Sequence, residues 1–532
     1  METLNKSMAL TGQPPKALNL HQKWAVVLGM SGMAILVLQL FNWDLGNNVL
    51  WLSISLATLF VGIIWFSYGS YGHTHEGIKN DGVWFKSISS RGVLAWMAGI
   101  ALTLFYIILY FYPEYLGLVK DGPNRGLIAL FDPLSNTLSG NPASQWFVYG
   151  TLYTLAILAF GIKFLWKYRH NRYEQLRTWS VMFFQLGFAF LIPELMARLN
   201  GDLPYYDLKN IWPLNYYNFE RYRVNGFIDA GDVGLALLLF GVASIFVITP
   251  ILTYKYGKRW YCSWVCGCGG LAETAGDSFR HLSDKSKFAW KVERWVVHSV
   301  VVFVTLMTIA VVHSYLGNDT DKYWLTKTSF LVGSAVILTA IFSWAMLFKR
   351  EQLQKDAQYG AVGYFVIIMV LLGLHFFGNE GHIFLFKSES LRRGYSFLIG
   401  SIFSGVIGTG FYPIFGNRVW CRFGCPMAAI LGFQQRLFSK FRITTNGGQC
   451  ISCGNCSTYC EMGIDVRAYA QKGENIVRSS CVGCGICSAV CPRGVLKLEN
   501  GPLEGRINPT EVLLGNDVDL MQLLNQKENR HN

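Results

Sequence analysis

Cys450-x2-Cys453-x2-Cys456-x3-Cys460, a 20-residue spacer, then Cys481-x2-Cys484-x2-Cys487-x3-Cys491-Pro492: this stretch decides how the rest of the chain is read. Twice, four thiols fall at the spacing that wraps a cubane iron–sulfur cluster. In this pattern three closely spaced sulfurs come from one tight loop, and the fourth thiolate of each run ligates the other cluster. The expected ligands are Cys450, Cys453, Cys456 and Cys491 for one [4Fe–4S] cluster, and Cys481, Cys484, Cys487 and Cys460 for the second. Gly454, Gly483 and Gly485 suit a backbone that folds closely round such a group. Zinc sites favour isolated Cys pairs or Cys/His mixtures, and no His lies between Cys450 and Cys491. A disulfide framework belongs to small secreted domains.

The remainder of the 532 residues has the composition of a membrane protein: 52% apolar and only 15% charged, with a mean hydropathy of +0.29. An ordinary soluble domain carries about 25% charged residues. All 13 cysteines fall at or after Cys262, in three groups, which points to metal and a reducing side rather than to disulfides. The net charge of +13 gathers in short loops beside apolar segments. The positive-inside rule accounts for it without a nucleic-acid partner.

A spanning helix needs about 20 apolar residues. Ten stretches meet that need: 24–42, 49–69, 92–112, 146–166, 179–197, 232–253, 295–316, 329–348, 360–378 and 395–415. The first is too long for a signal-peptide core and reads as a retained anchor. Lys and Arg favour the loops after even-numbered spans, with eight of them in 254–294. That bias places both termini and the cysteine-rich region on the cytoplasmic face of an inner membrane. The opposite loops, 113–145 and 198–230, are aromatic and are expected to fold over the outer face.

The expected fold is therefore a polytopic α-helical membrane protein of about ten spans carrying a C-terminal α+β bacterial-type 2[4Fe–4S] ferredoxin-like domain. Its parts are a tail (1–23), six spans (24–253), a loop (254–294), four spans (295–415), a connector (416–444), the cluster domain (445–498) and a polar tail (499–532). That tail has one short helix expected over 511–526.

Spans 6 and 10 are each followed by a similar stretch, one running from Lys258 through Cys262, Cys266 and Cys268 to Leu271, the other from Asn417 through Cys421 and Cys425-Pro426 to Ile430. Offset by 159 residues, they share an Arg, an aromatic and Cys-x3-Cys in one register. Internal repeats in membrane proteins commonly put functional sites at the repeat interface. On a helix this spacing stacks the two thiols about one turn apart. Such thiols could ligate a metal, form redox disulfides, bind a cofactor, or simply be buried packing residues.

On Tyr261–Cys266, Trp420–Pro426 and Cys450–Pro492 the sequence resembles the membrane polyferredoxins of the NapH/NosR type, related to the CcoG (FixG/RdxA) accessory proteins. The resemblance covers roughly 240–495. Gly267 stands where the family pattern has Pro, Cys268 adds a thiol, and Glu461 replaces the Pro that usually follows the fourth Cys of the first cluster motif. The flavin-attachment motif of the NosR type does not occur, so no covalent flavin is expected.

The resemblance implies electron transfer between the quinone pool, or a membrane partner, and cytoplasmic-side [4Fe–4S] clusters, with redox proteins as partners in a respiratory or denitrification-type chain. A quinol dehydrogenase or electron-transfer subunit would fit this description. The CcoG relationship implies an alternative, a copper-centre assembly or reductase protein, since soft thiolates favour Cu(I). A quinone site needs a proton acceptor at membrane depth, where ionisable groups are functional candidates. His298, His313 and His375 are those candidates, as partners of a quinol head group or as axial ligands of a b-type haem. Hydrogen-bonded packing between helices is the competing reading for all three.

Overall fold

The computed structural model describes residues 18–43, 45–73, 91–201, 203–317, 323–377, 382–383, 386–446 and 449–500. The helix expected over 511–526 lies outside the described residues. Among them, nine helices are long and apolar enough to cross a membrane: α1 (Leu20–Leu40), α2 (Asn48–Tyr71), α3 (Val93–Phe111), α4 (Gln145–Lys167), α5 (Arg172–Leu199), α6 (Asp232–Tyr256), α7 (Lys287–Tyr315), α8 (Lys327–Phe348) and α9 (Lys355–Phe377). The chain is a polytopic membrane protein. Polar caps start several of these helices: the Asn19 and Gln22 side chains reciprocally bond each other's backbone N–H, and Ser144, Asn171 and Ser286 each cap an N3 amide.

The expected tenth span differs. Ser388–Tyr395 is helical but polar, with Glu389, Arg392 and Arg393, and continues as a π-helix over Ser396–Ile407. Gly408 and Gly410 follow in a turn, where a side chain at either would strike the backbone carbonyl four residues earlier. π-Helix also interrupts α5 over Phe184–Leu191 and α6 over Ser244–Ile248. In α5 and α6 a proline follows the interruption, Pro193 and Pro250, and the freed carbonyls are accommodated in the wider turns.

Small residues set the helix packing. Ser55 Oγ donates to the Gly32 carbonyl at 2.9 Å, and a Cβ on Gly62 would come within 2.8 Å of the Gly29 backbone. The α1–α2 pair thus meets backbone to backbone, as small-residue interfaces in membranes do. By contrast α8 and α9 expose most of their apolar surface, suited to lipid or a partner helix.

Neither long loop merely covers a face. Gly126–Leu138 forms an amphipathic helix whose Leu127, Ile128, Leu130 and Phe131 are buried against α1, α2 and α4. Residues 203–219 turn inward: Trp212 Nε1 bonds Thr308 Oγ1 on α7 at 3.0 Å, and the Lys209 carbonyl accepts from Tyr261 Oη at 3.0 Å.

A two-residue ladder, β1 (His382–Ile383) with β2 (Phe386–Lys387), packs near the ends of α7 and α9. The C-terminal unit is built on β3 (Phe441–Thr445) and β4 (Leu496–Asn500), antiparallel with Phe441 opposite Asn500 and Thr445 opposite Leu496. Its sheet begins at Phe441 rather than 445, because β3 needs its full length to pair with β4. No tether precedes it: Lys440 N–H already bonds the Tyr254 carbonyl of α6 at 2.9 Å.

Candidate iron–sulfur centres and the buried thiol layer

Each cluster motif folds the same way. Gly454 (φ +82°) and Gly485 (φ +91°) take the left-handed conformation that opens a four-residue helix, Asn455–Thr458 and Ile486–Ala489. That turn brings the third cysteine back beside the first two. Two cavities result. One is lined by Cys450, Cys453, Cys456 and Cys491, the other by Cys460, Cys481, Cys484 and Cys487. The fourth cysteine of each run thus stands in the cavity of the other, and each cavity is lined by four cysteine thiols.

Burial pushes the thiols up, Cys456 to about 12 and Cys481 to about 11. A buried thiolate is costly without a cation, and iron supplies one. The sets fit [4Fe–4S] groups, whose chemistry would be one-electron transfer.

The upstream cysteines share this core. Cys262, Cys266, Cys421 and Cys425 are buried together with Cys456, Cys481 and Cys487. The expectation of two thiols on one continuous helix is not met. In the first segment Cys262 ends the turn Arg259–Cys262, and Cys266 is the N-cap of a new helix, Gly267–Thr274. In the second, Cys421 lies in the π-turn Trp420–Gly424, and Cys425 caps Pro426–Phe438. Pro at the first helical position is favourable, which explains Pro426. A side chain at 267 would sit 2.5 Å from Lys209 Nζ and 2.7 Å from Gln185 Oε1, which explains Gly267.

The first segment is re-entrant. Ser263 Oγ donates to the Val482 carbonyl in the cluster domain at 2.9 Å, while Gly267 lies against Tyr153. The chain then returns along α4 until Asp277 meets Lys167 at 2.6 Å. From Lys167 to Tyr153 is a descent of about 20 Å at 1.5 Å per helical residue. Behind Tyr153, the rings of Tyr149, Tyr106, Tyr110 and Trp146 follow in series with centroids 5.1–6.3 Å apart.

A buried ion network locks the layers. The Glu461 carboxylate accepts from Arg280 Nη1 at 2.7 Å, Arg418 Nε at 2.9 Å and Asn417 Nδ2 at 3.0 Å. Arg280 also holds Asp277 at 2.7 Å, and Glu273 takes Arg418 and Arg177. Burial alone would raise the Glu461 carboxyl, but Arg280 and Arg418 outweigh it and hold it below its usual range. Arg418 further reaches the Cys262 carbonyl at 3.3 Å and Cys421 Sγ at 3.5 Å, so one guanidinium touches both repeats and the cluster domain. Its counterpart in the first repeat, Arg259, instead lies over the Phe441 ring at 4.1 Å. Among the upstream thiols Cys266 alone is lowered, chiefly by the Cys268 thiol donating to it; burial pushes Cys262 up to about 12.

The three histidines do not converge. His313 Nδ1 and His375 Nε2 hydrogen-bond directly at 2.7 Å, with rings edge to face. Axial ligation would require an iron and its porphyrin plane between those atoms, so a bis-histidine haem does not fit this pair as it stands. His298 bonds the Arg294 carbonyl and packs against Phe433, toward the other end of α7. Lys209, Gln185, Arg418 and Glu461 were not identified from sequence as members of the site. The replaced Pro marked Glu461 and the repeat marked Arg418 as its shared Arg, while Lys209 and Gln185 carried no signal.

Comparison with known proteins agrees with this arrangement. A family model described as a 4Fe-4S dicluster domain matches residues 449–496, and one described as a 4Fe-4S binding domain matches twice, over 238–288 and 397–444. A relative from Escherichia coli K12, "Putative electron transport protein YccM", is 26% identical over 249 residues, which is 47% of this chain and 52% of that protein. The chain thus spans about half the length of that curated relative. No solved structure matches.

Proposed function

We propose that this chain is a membrane-bound electron-transfer protein that exchanges electrons between the quinone pool, or a membrane partner, and two [4Fe–4S] clusters on the cytoplasmic side. One observation carries the reading: the two four-cysteine cavities share a single buried core with the repeated Cys-x3-Cys segments. A diffusing ferredoxin would have no need of that contact. The basic residues that flank the cluster-side helix ends support a cytoplasmic placement, and the name of the Escherichia coli relative supports electron transport.

In this reading the cluster groups supply one-electron chemistry when bound, and the protein does the rest. The eight cysteines hold and separate the two groups. Arg280 and Arg418 hold the Glu461 carboxylate beside the second set, so the charges there are paired. Ser263, Tyr173 and Lys258 bond the Val482, Gly483 and Ser479 carbonyls, fixing the cluster loop against the membrane helices. The buried His313–His375 pair, bonded through one shared proton, is the candidate proton acceptor for quinol at the opposite end of α7 and α9.

The test is reduction of the clusters by a quinol analogue in membrane vesicles, followed by EPR. Quinol-dependent reduction supports the reading; clusters that respond only to dithionite overturn the quinol link. The copper-assembly alternative predicts stoichiometric Cu(I) binding that vanishes in C262S and C421S with cluster content intact.

A further inference from the structure

The upstream thiols have no assigned role in the two-cluster reading. Each stretch matched by the 4Fe-4S binding-domain model contributes only two thiols at repeat-equivalent positions, and two thiolates do not complete a cluster's ligand set. We propose that Cys262 and Cys266 from the first segment join Cys421 and Cys425 from the second to hold one further [4Fe–4S] cluster, embedded between the membrane helices and the C-terminal domain. This inference extends the electron-transfer reading, and makes the thiol layer a third redox station below the other two.

The geometry supports a joint site. The four thiols lie in one core, each buried, and each pair is built alike, with one cysteine on a helical turn and the next at the N-cap of a following helix. Donors aim at two of the sulfurs: Ala428 N–H at Cys425 Sγ, 3.4 Å, and Arg418 Nη1 at Cys421 Sγ, 3.5 Å. Hydrogen bonds to sulfur are one of the levers by which a protein sets a cluster's potential.

Charge completes the case. A cubane held by four thiolates is an anion, and burying an anion is costly without compensation. Two buried ammonium groups lie beside these thiols, and Arg418, itself paired with Glu273 and Glu461, bridges the two segments. Lys258 directs its ammonium to the Ser479 carbonyl at 3.1 Å, and Lys209 directs its own to Gln185 Oε1 at 2.5 Å; neither ammonium has a carboxylate within salt-bridge distance among the described residues. Cys268 lies outside the repeat-equivalent set and is partly buried against the same core.

The experiment is an iron and acid-labile sulfide count on the full chain, purified anaerobically in detergent, with EPR of the reduced protein. Three clusters give about twelve iron and twelve sulfide per chain. C262S/C421S should fall to about eight with the signals of the C-terminal clusters retained, and C268A should stay at about twelve. The double variant C456S/C487S should lose iron independently of the upstream set. A wild-type count of about eight that C262S/C421S leaves unchanged overturns this inference and leaves the two-cluster reading standing. Loss of iron in C262S/C421S but not in C456S/C487S overturns the two-cluster reading instead. Stoichiometric copper at the upstream thiols, or loss of iron in C268A, also overturns the proposed ligand set.

Discussion

Glu461→Gln should release the cluster domain from the membrane helices. The carboxylate is 1% exposed and takes three donors, from Arg280, Arg418 and Asn417, at 2.7–3.0 Å. The amide keeps the size but removes the charge, and turns an N–H toward guanidinium donors. Each arginine retains one other carboxylate, Asp277 for Arg280 and Glu273 for Arg418, so the loss is nearer one broken buried pair than two. Breaking one costs about 3–5 kcal/mol. That raises the population of the opened state about 150- to 5,000-fold.

Proteolysis of the full chain in detergent reads this population when reclosing outpaces cleavage. Cleavage within 440–500 should accelerate by at least two decades, and cluster absorbance should bleach faster with a chelator. The control is E389Q, which breaks the exposed Arg393–Glu389 pair and should change stability by less than about 1 kcal/mol. If E461Q is cleaved within threefold of the wild-type rate with its clusters intact, the network does not hold the layers together.

Gly485→Ala forces a left-handed alanine whose Cβ would lie 2.5 Å from Glu174 Oε1 and 2.7 Å from the Tyr173 ring; strain and overpacking together cost about 2–5 kcal/mol, and the second cluster should be lost first in an iron count. C460S and C491S should each remove one cluster, with C460S removing the one held by the second run, a crossing that EPR of the survivors can verify. Because burial holds Cys456 and Cys481 protonated near neutral pH, loading iron must displace protons; pH-stat reconstitution should register acid release, and loading should improve as pH rises from 7 toward 9. H375N should slow quinol-driven cluster reduction in vesicles by tenfold or more while leaving dithionite reduction unchanged.

Much of the architecture was legible because its signals are local. Nine of the ten apolar stretches are spanning helices, since length and hydropathy suffice to detect them. The crossing of Cys460 and Cys491 between cavities follows from spacing alone. What escaped depends on partners distant in sequence. Glu461 stood out only as a missing proline, yet its partners Arg280 and Arg418 lie 181 and 43 positions away. The inward course of 203–219, which presents Lys209 to the thiol layer, has no periodic pattern to announce it. The Cys-x3-Cys spacing suggested one helix, but Pro426 and the crowded Gly267 begin new helices just after the second cysteine, and separate the two thiols into different turns.

Redox-active iron in the shared core is tested most directly by a low-temperature EPR spectrum of the full chain after dithionite reduction. It should show fast-relaxing, magnetically interacting [4Fe–4S]+ signals from neighbouring clusters, as expected where both cavities lie in one small domain. An EPR-silent protein containing zinc, or no metal at all after anaerobic reconstitution with iron and sulfide, would contradict it.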